Sequence, residues 1–199
     1  MSLSLRERKK LKTRTSIQKE AMRLFLEKGY EATTIEEIAA AAEISPSTFF
    51  NYFPSKEDVV FQDELDPLIL AAFDAQPPEL GPVAALRNAM RIVFKDLSRE
   101  QEDLMRQRIR MMTSEPELRA TMLNQFAELV DQIAQLLATR VGRGADDFAL
   151  RNLAGALLGV MMSAMLVAAE QPKADLMTLV DDALAHLDAG LPLTWPPKD

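Results

Sequence analysis

Between Thr33 and Lys56 the chain gathers hydroxyl, carboxamide and aromatic side chains at spacings suited to hydrogen bonding with phosphates and base edges. Two helix-start signals organise this stretch. Thr33-x-x-Glu36 and Thr34-x-x-Glu37 each satisfy the reciprocal capping pattern, in which a hydroxyl accepts from a backbone N–H and a carboxylate returns the bond. Ser45 then serves as N-cap with Pro46 at the first helical position, opening a short helix to about Tyr52. Two helices joined by a turn of three or four residues make a helix-turn-helix. Ala39, Ile44, Phe49 and Phe53 supply its packing residues. Pro46, Ser47, Thr48, Phe50, Asn51 and Tyr52 are left outward or flanking, where Asn can pair with adenine and Phe can meet a thymine methyl. The competing reading puts Phe50 in a core, leaves Asn51 solvated and makes Thr48, Tyr52 and Lys56 structural.

The charge distribution points the same way. The formal net charge is −7, yet Met1 to Lys19 holds seven cations against the single anion Glu7, while Glu57 to the end holds 13 cations and 23 anions. A polyanion is drawn to the first end and repelled by the rest, the pattern of a chain whose nucleic-acid contacts are confined to one terminus. A solvated basic arm is the plainer alternative.

Apolar residues recur at helical spacing almost throughout, and no segment alternates for long, so the expected fold is all-α with about nine helices. Leu5 to Lys28 forms the first helix, with Ile17, Ala21, Leu24 and Phe25 on one face and Gly29 ending it. The second starts at Thr33 or Thr34, with Ile35, Ile38 and Ala39 inward, and the third follows Ser45. A fourth, capped near Ser55-Lys56, runs through Val59, Val60 and Leu65 until Asp66-Pro67 kinks or restarts it. Lys56 at that helix start adds its charge to the positive helix end, an anion site. Further helices are expected at about 82–99, 101–113, 116–140, 146–170 and 173–189, broken at Ser98, Pro116, Gly142 to Gly144 and Pro172. The expected division is 1–55, a three-helix DNA-binding domain; 56–191, a helical domain; and 192–199, an irregular tail in which Trp195 packs on the body.

The run TTIEEIAAAAEISPSTFFNYFPSKEDV resembles the DNA-binding domain of the TetR/AcrR family of bacterial regulators, and the likeness covers roughly Arg14 to Val60. It rests on the Gly29-Tyr30 helix end, the Thr-Thr start and the Ser-x-x-Thr-aromatic-aromatic-x-Tyr-Phe-x-Ser-Lys run from Ser45 to Lys56. The resemblance implies that Thr48, Tyr52 and Lys56 grip phosphates while Ser47, Phe50 and Asn51 approach bases. With Thr34, Ser45 and Pro46 these make the expected DNA-binding set. Two positions depart from the common pattern. Glu36 stands where many members have Arg, and is expected to cap its helix instead of reading a base. Glu43 stands where many have Gly, at a cost of ~1 kcal/mol if the turn needs a left-handed residue.

The resemblance further implies a C-terminal domain that holds a small-molecule pocket and the interface of a homodimer. In the 146–170 helix, Leu153, Leu157, Val160 and Ala164 share an apolar face, Gly155-x-x-x-Gly159 permits close helix approach, and the last helix adds Leu176, Val180, Ala183 and Leu187. Pairing these two helices with their copies buries both faces about a two-fold axis. The alternative is that they close the monomer's own core. Flexible thioethers and rings at Met90, Phe94, Met105, Ile109, Met112, Met122, Phe126 and Met161 suit an adaptable pocket, although a Met-rich face also makes an ordinary core. The runs Arg106-Gln107-Arg108-Ile109-Arg110 and Pro116-Glu117-Leu118-Arg119 resemble an actinobacterial branch that senses acyl-CoA-like ligands. An elongated apolar effector with its anionic head near Arg106 or Arg110 is therefore expected, and the helix bearing Pro67 is the expected lever between effector and DNA.

The functional expectation is a repressor released from a palindromic duplex operator by such an effector. The absence of cysteine removes disulfides and thiolate metal sites, and no apolar stretch follows the basic start as a signal peptide requires, so a cytoplasmic location is expected. The uncharged stretch Leu153 to Ala169 is shorter than the ~20 residues of a membrane span. No cofactor or metal is expected. An all-α enzyme has little to work with, since His186 is the only histidine and there is no Glu-x-x-His pair, Gly-x-Ser-x-Gly elbow or Gly-rich phosphate loop. A membrane-surface scaffold could use the basic arm but has no need of two capped short helices carrying polar readers.

Overall fold

The chain's start and stop signals govern where its helices fall. The computed structural model describes residues 5–62, 65–144, 146–171 and 174–192, with the side chains at 6–8 excepted. Among these the regular structure is entirely helical, as expected from the periodicity: α1 (Leu5–Lys28), α2 (Ile35–Ala41), α3 (Pro46–Phe50), α4 (Asp58–Phe61), α5 (Asp66–Asp74), α6 (Pro82–Phe94), α7 (Arg99–Ser114), α8 (Pro116–Val141), α9 (Phe148–Glu170) and α10 (Leu176–Asp188). The expected break at Pro172 and the tail from 193, with Trp195, lie outside the described residues. Pro67 does not kink a long helix. α4 ends at Phe61 with Gln62 extended, and Pro67 sits in the first turn of α5, where its missing N–H would have had no helical partner.

Packing divides the chain into two compact units. Residues 1–63 and 100–121 form the first; 64–99 and 122–199 form the second. In the first, the apolar face of α1 (Ile17, Ala21, Met22, Phe25) meets Tyr30, Ile38, Ala39, Phe49, Phe53, Val59 and Val60. Met111 of α7 and Leu118 of α8 complete this core, so helices far along the sequence close the N-terminal unit. Phe49 and Phe53 are wholly buried, each contributing about 2 to 3 kcal/mol relative to exposure.

α4 has only four residues, too few to satisfy its own backbone, and its C-terminal carbonyls are taken up by side chains. Gln18 Nε2 donates to the Val59 and Gln62 carbonyls at 3.2 and 2.7 Å. Arg108 of α7, itself buried, donates from Nε to the Val60 carbonyl at 2.9 Å and from Nη2 to those of Phe61 and Gln62 at 3.4 and 3.2 Å.

In the second unit, α10 packs on α9 and α6, and α6 on α5. Arg140 of α8 fastens the α5–α6 connection, donating to the carbonyls of Phe73, Gln76, Pro77 and Leu80 while its guanidinium lies 5.1 Å from the Phe73 ring centroid. Asp181 of α10 joins two arginines of α6, accepting from Arg87 Nε and Nη2 at 3.2 and 3.0 Å and from Arg91 Nη2 at 2.6 Å. These bonds hold the Asp181 carboxyl below the usual carboxylate range, the Arg87 hydrogen bonds being the largest cause.

Candidate nucleic-acid interface

α2 is capped by Thr34, not Thr33. Thr34 Oγ1 accepts from the Glu37 N–H at 3.2 Å, and the Glu37 carboxylate accepts from the Thr34 N–H at 2.8 Å. Glu37 also pairs with Lys28 at the end of α1, and the Lys28 bond, followed by those from Thr34, pulls its carboxyl down to about 2. Thr33 is buried and donates its hydroxyl to the Gly29 carbonyl at 2.8 Å. Glu36, expected as a cap, stands exposed in the first turn without that role; its neighbour holds the cap because the helix begins one residue later than the first Thr signal allows.

The turn that follows contains Glu43 at φ 56°, the left-handed conformation in which a Cβ is strained. The N–H groups of Glu43 and Ile44 return to the carbonyls of Ala40 and Ala39 at 3.2 and 2.9 Å, closing the end of α2 as glycine usually does. α3 then starts as expected, with Ser45 Oγ accepting from the Thr48 N–H at 3.1 Å and Pro46 in the first turn.

α3 is locked from beneath and open above. Phe49 is buried, whereas Phe50 is 52% exposed and meets Phe49 edge-on, with centroids 5.6 Å apart. Phe50 is therefore no core residue. Ser45, Pro46, Ser47 and Asn51 are exposed, and Thr48 and Tyr52 are half-buried beside them. Arg14 of α1 anchors this end by donating to the Tyr52 carbonyl at 3.2 Å and to Gln62 Oε1 at 2.6 Å, its guanidinium 4.4 Å from the Phe53 ring centroid.

Lys56 departs from expectation. Its ammonium is turned inward, donating to the carbonyls of Tyr30 and Thr33 at 3.0 and 3.3 Å and lying 4.2 Å from the Tyr30 ring centroid. Lys56 thereby braces the turn between α1 and α2, adding a second donor to the Tyr30 carbonyl, which already accepts from the Thr33 N–H. α4, starting at Asp58, is also too short to supply the expected anion site. Burial, reinforced by Glu57 and Glu117, pushes the Tyr30 phenol upward.

The shared exposed face of α3, reached by a capped α2 and a tight turn, presents hydroxyls, a carboxamide and one aromatic ring on a rigid base, a shape suited to a groove lined with base edges. Residues 17–62, which contain this whole arrangement, match the family described as "Bacterial regulatory proteins, tetR family". Residues 80–192 match the "MftR C-terminal domain". The chain belongs to the tetR family of bacterial regulatory proteins.

Relatives of this tetR-family chain include the HTH-type transcriptional regulator TcmR of Streptomyces glaucescens, 37% identical over 150 residues, a match spanning 72% of this chain and 66% of TcmR, just under two thirds. MftR of Mycobacterium tuberculosis is 29% identical over 147 residues, 72% of this chain and 73% of that one. Among solved structures, the fold is similar to Thermus thermophilus FadR, a TetR-family transcriptional repressor in complex with lauroyl-CoA, at a TM-score of 0.55 and 28% identity, covering 94% of this chain and 98% of FadR. These relatives are regulators, not enzymes, which agrees with the missing catalytic motifs.

The residues expected to line an effector pocket are divided between the two compact units. Met90 (buried) and Phe94 of α6 line a cleft with Met177, Val180 and Leu184 of α10, but it measures about 40 Å³, well below the ~300 Å³ at which small-molecule sites begin. Met105, Arg106, Ile109 and Met112 lie on α7 in the first unit, with Ile109 buried. Met122, Phe126 and Met161 are half-buried on α8 and α9 of the second. Arg106 is half-buried and Arg110 exposed. Among the described residues no group of His, Cys, Asp and Glu could hold a metal ion.

Of the residues expected at a dimer interface, Leu157, Ala164, Leu176 and Val180 are buried within the single chain, so they serve its own core. Leu153, Val160, Ala183 and Leu187 remain half-buried. α9 nevertheless is long and apolar enough to span a membrane by length and composition, with a mean hydropathy of 1.8 over a window of which only 17% is buried. A Cβ added at Gly155 or Gly159 would meet nothing within 4 Å, so neither glycine is needed for packing within one chain.

Proposed function

We propose that the protein is a cytoplasmic, homodimeric repressor that binds a palindromic duplex operator through α3 and is released by an elongated apolar or acyl-CoA-like effector. The carrying observation is the face of α3. Ser47, Phe50 and Asn51 project from a helix held rigidly by Phe49 and Phe53, the arrangement required of base readers, and Thr48 and Tyr52 flank them as phosphate contacts. Thr34, Ser45 and Pro46 act by shaping the helix starts, and Lys56 by bracing the turn beneath.

The dimer reading is supported by α9, whose apolar length is poorly covered by its own chain and whose Gly155-x-x-x-Gly159 stripe is free for close approach by a second copy. Two copies of α3 about 34 to 36 Å apart would face successive major grooves. The acyl-CoA reading is supported by the FadR relationship. Such an effector releases the operator by selecting one conformation of the protein at the expense of another. The lever reading attaches to α5, whose first turn holds Pro67.

Selection of bound sites from random duplex DNA tests the reading. A recovered inverted repeat, a particle of twice the 22.2 kDa chain mass and release by long-chain acyl-CoA are the expected results. No enrichment of any duplex over bulk competitor at modest ionic strength would end it.

A further inference from the structure

The family match begins at residue 17, but α1 begins at Leu5. The helical stretch 5–16, about 18 Å long at 1.5 Å per residue, thus precedes the matched part. Along it Leu5, Lys9 and Thr13 recur every fourth residue and share a face, with Lys10 beside them. Opposite stand Thr48 of α3 and Asn51 and Tyr52 of the turn that follows it. The two groups line one open cleft of about 700 Å³.

The lining is chemically one-sided. Among the described residues it offers two ammonium groups, two aliphatic hydroxyls, a phenol and a carboxamide, and no carboxylate. Lys9 and Lys10 are exposed, and among the described residues neither has an ion-pair partner, whereas Lys19 and Arg23 farther along α1 are paired with Glu100, Glu20 and Glu27. Exposed cations in a cleft whose described walls are otherwise polar and uncharged are complementary to a linear polyanion. The cleft is also continuous with the reading face, because Thr48, Asn51 and Tyr52 belong to both.

We propose that this cleft holds the sugar-phosphate strand that flanks the base pairs read by α3, with Lys9 and Lys10 as its phosphate contacts. The inference rests on the DNA-reading function above and adds to it a second wall, contributed by a helical extension lying before the family-matched residues. A strand entering the cleft is gripped from the α1 side by charge and from the α3 side by hydroxyls, which fixes the register in which Ser47, Phe50 and Asn51 meet their bases.

The test uses the full chain and the duplex that the wild type selects, with affinity measured from 50 to 200 mM salt for wild type, Lys9→Ala/Lys10→Ala and Lys12→Ala. Lys12 is exposed but does not line the cleft, so it controls for diffuse charge. Four lost contacts per dimer should make the slope of log K against log salt shallower by about 3 to 4 and weaken binding on the order of 100-fold at the low-salt end. Phosphate ethylation should interfere with wild-type binding at positions flanking the α3 bases, and that flanking interference should vanish in the double variant. A double variant with wild-type slope and interference would overturn the proposal, as would a Lys12→Ala change of equal size per charge removed. Wild type that selects no duplex would remove this inference together with the proposed function, whereas intact selection with cleft variants indistinguishable from wild type would remove this inference alone. Matching thermal melts establish that the exposed lysines act on binding and not on folding.

Discussion

Replacing Arg108 by Met should loosen the N-terminal unit although residue 108 lies far from it in sequence. Methionine retains the apolar stem and removes the guanidinium. The Val60 carbonyl then loses a charge-assisted bond of 2.9 Å, worth about 1.5 to 3 kcal/mol. The Gln62 carbonyl keeps its 2.7 Å bond from Gln18, and the 3.4 Å bond to Phe61 contributes little. Loss of a cation at the negative end of α4 adds about 0.3 to 1 kcal/mol, and release from burying the guanidinium offsets part of the total. The expected loss is about 2 to 3 kcal/mol, or a fall in Tm of roughly 4 to 12 °C for a chain of this size. Urea denaturation measures the total, and hydrogen exchange locates it: amides of Val59 to Gln62 should lose more protection than those of α1. Arg108→Lys should fall between, because an ammonium cannot reach three carbonyls as a planar fork does. A loss below about 0.5 kcal/mol with unchanged exchange in α4 would refute the capping role.

Glu43→Gly should stabilise the protein by up to ~1 kcal/mol in urea titrations, because relief at the left-handed φ exceeds the extra chain entropy of glycine; destabilisation would show that the Glu43 side chain has a role of its own. The depressed Glu37 carboxyl contributes stability that is fully present above its ordinary value of 4.5 and is lost as pH falls toward about 2. Lys28→Met removes the largest cause of that depression, so an NMR titration of Glu37 should move upward and the acid limb of the stability curve should flatten. Asp181→Asn should cost about 1 kcal/mol, a value discounted for partial exposure, and should part α10 from α6 enough to raise exchange in both; equal stability at neutral pH would show the Arg87–Asp181–Arg91 bonds to be inconsequential.

Sequence signals that act within one turn of helix were legible, and those that depend on distant partners were not. The cap at Ser45 and the start of α3 at Pro46 could be read because each is decided by neighbours three or four positions away, whereas the two overlapping Thr signals left the start of α2 open by one residue and drew the carboxylate cap to Glu36 in place of Glu37. Lys56 misled because its type and place at an apparent helix start suit an anion, while its real partners are carbonyls of the turn before α2. Arg108 sat in a run of alternating arginines in which Arg106 and Arg110 share one side of the helix and Arg108 takes another, and only folding shows which side is buried. The α9 and α10 faces were correctly seen as apolar, but periodicity does not say whether a residue such as Leu157 meets its own chain or another.

The passage of the polypeptide between its compact units at residues 63–64, 99–100 and 121–122 bears on how regulators of this kind can be recombined. An N-terminal unit cut after residue 63 leaves behind the Met111 and Leu118 side chains that seal its apolar interior and the guanidinium that holds α4. Chimeras that graft this unit onto the C-terminal domain of another family member must therefore carry a second, discontinuous stretch from about 100 to 121, and exchanges made at a single seam should yield insoluble or partly molten hybrids.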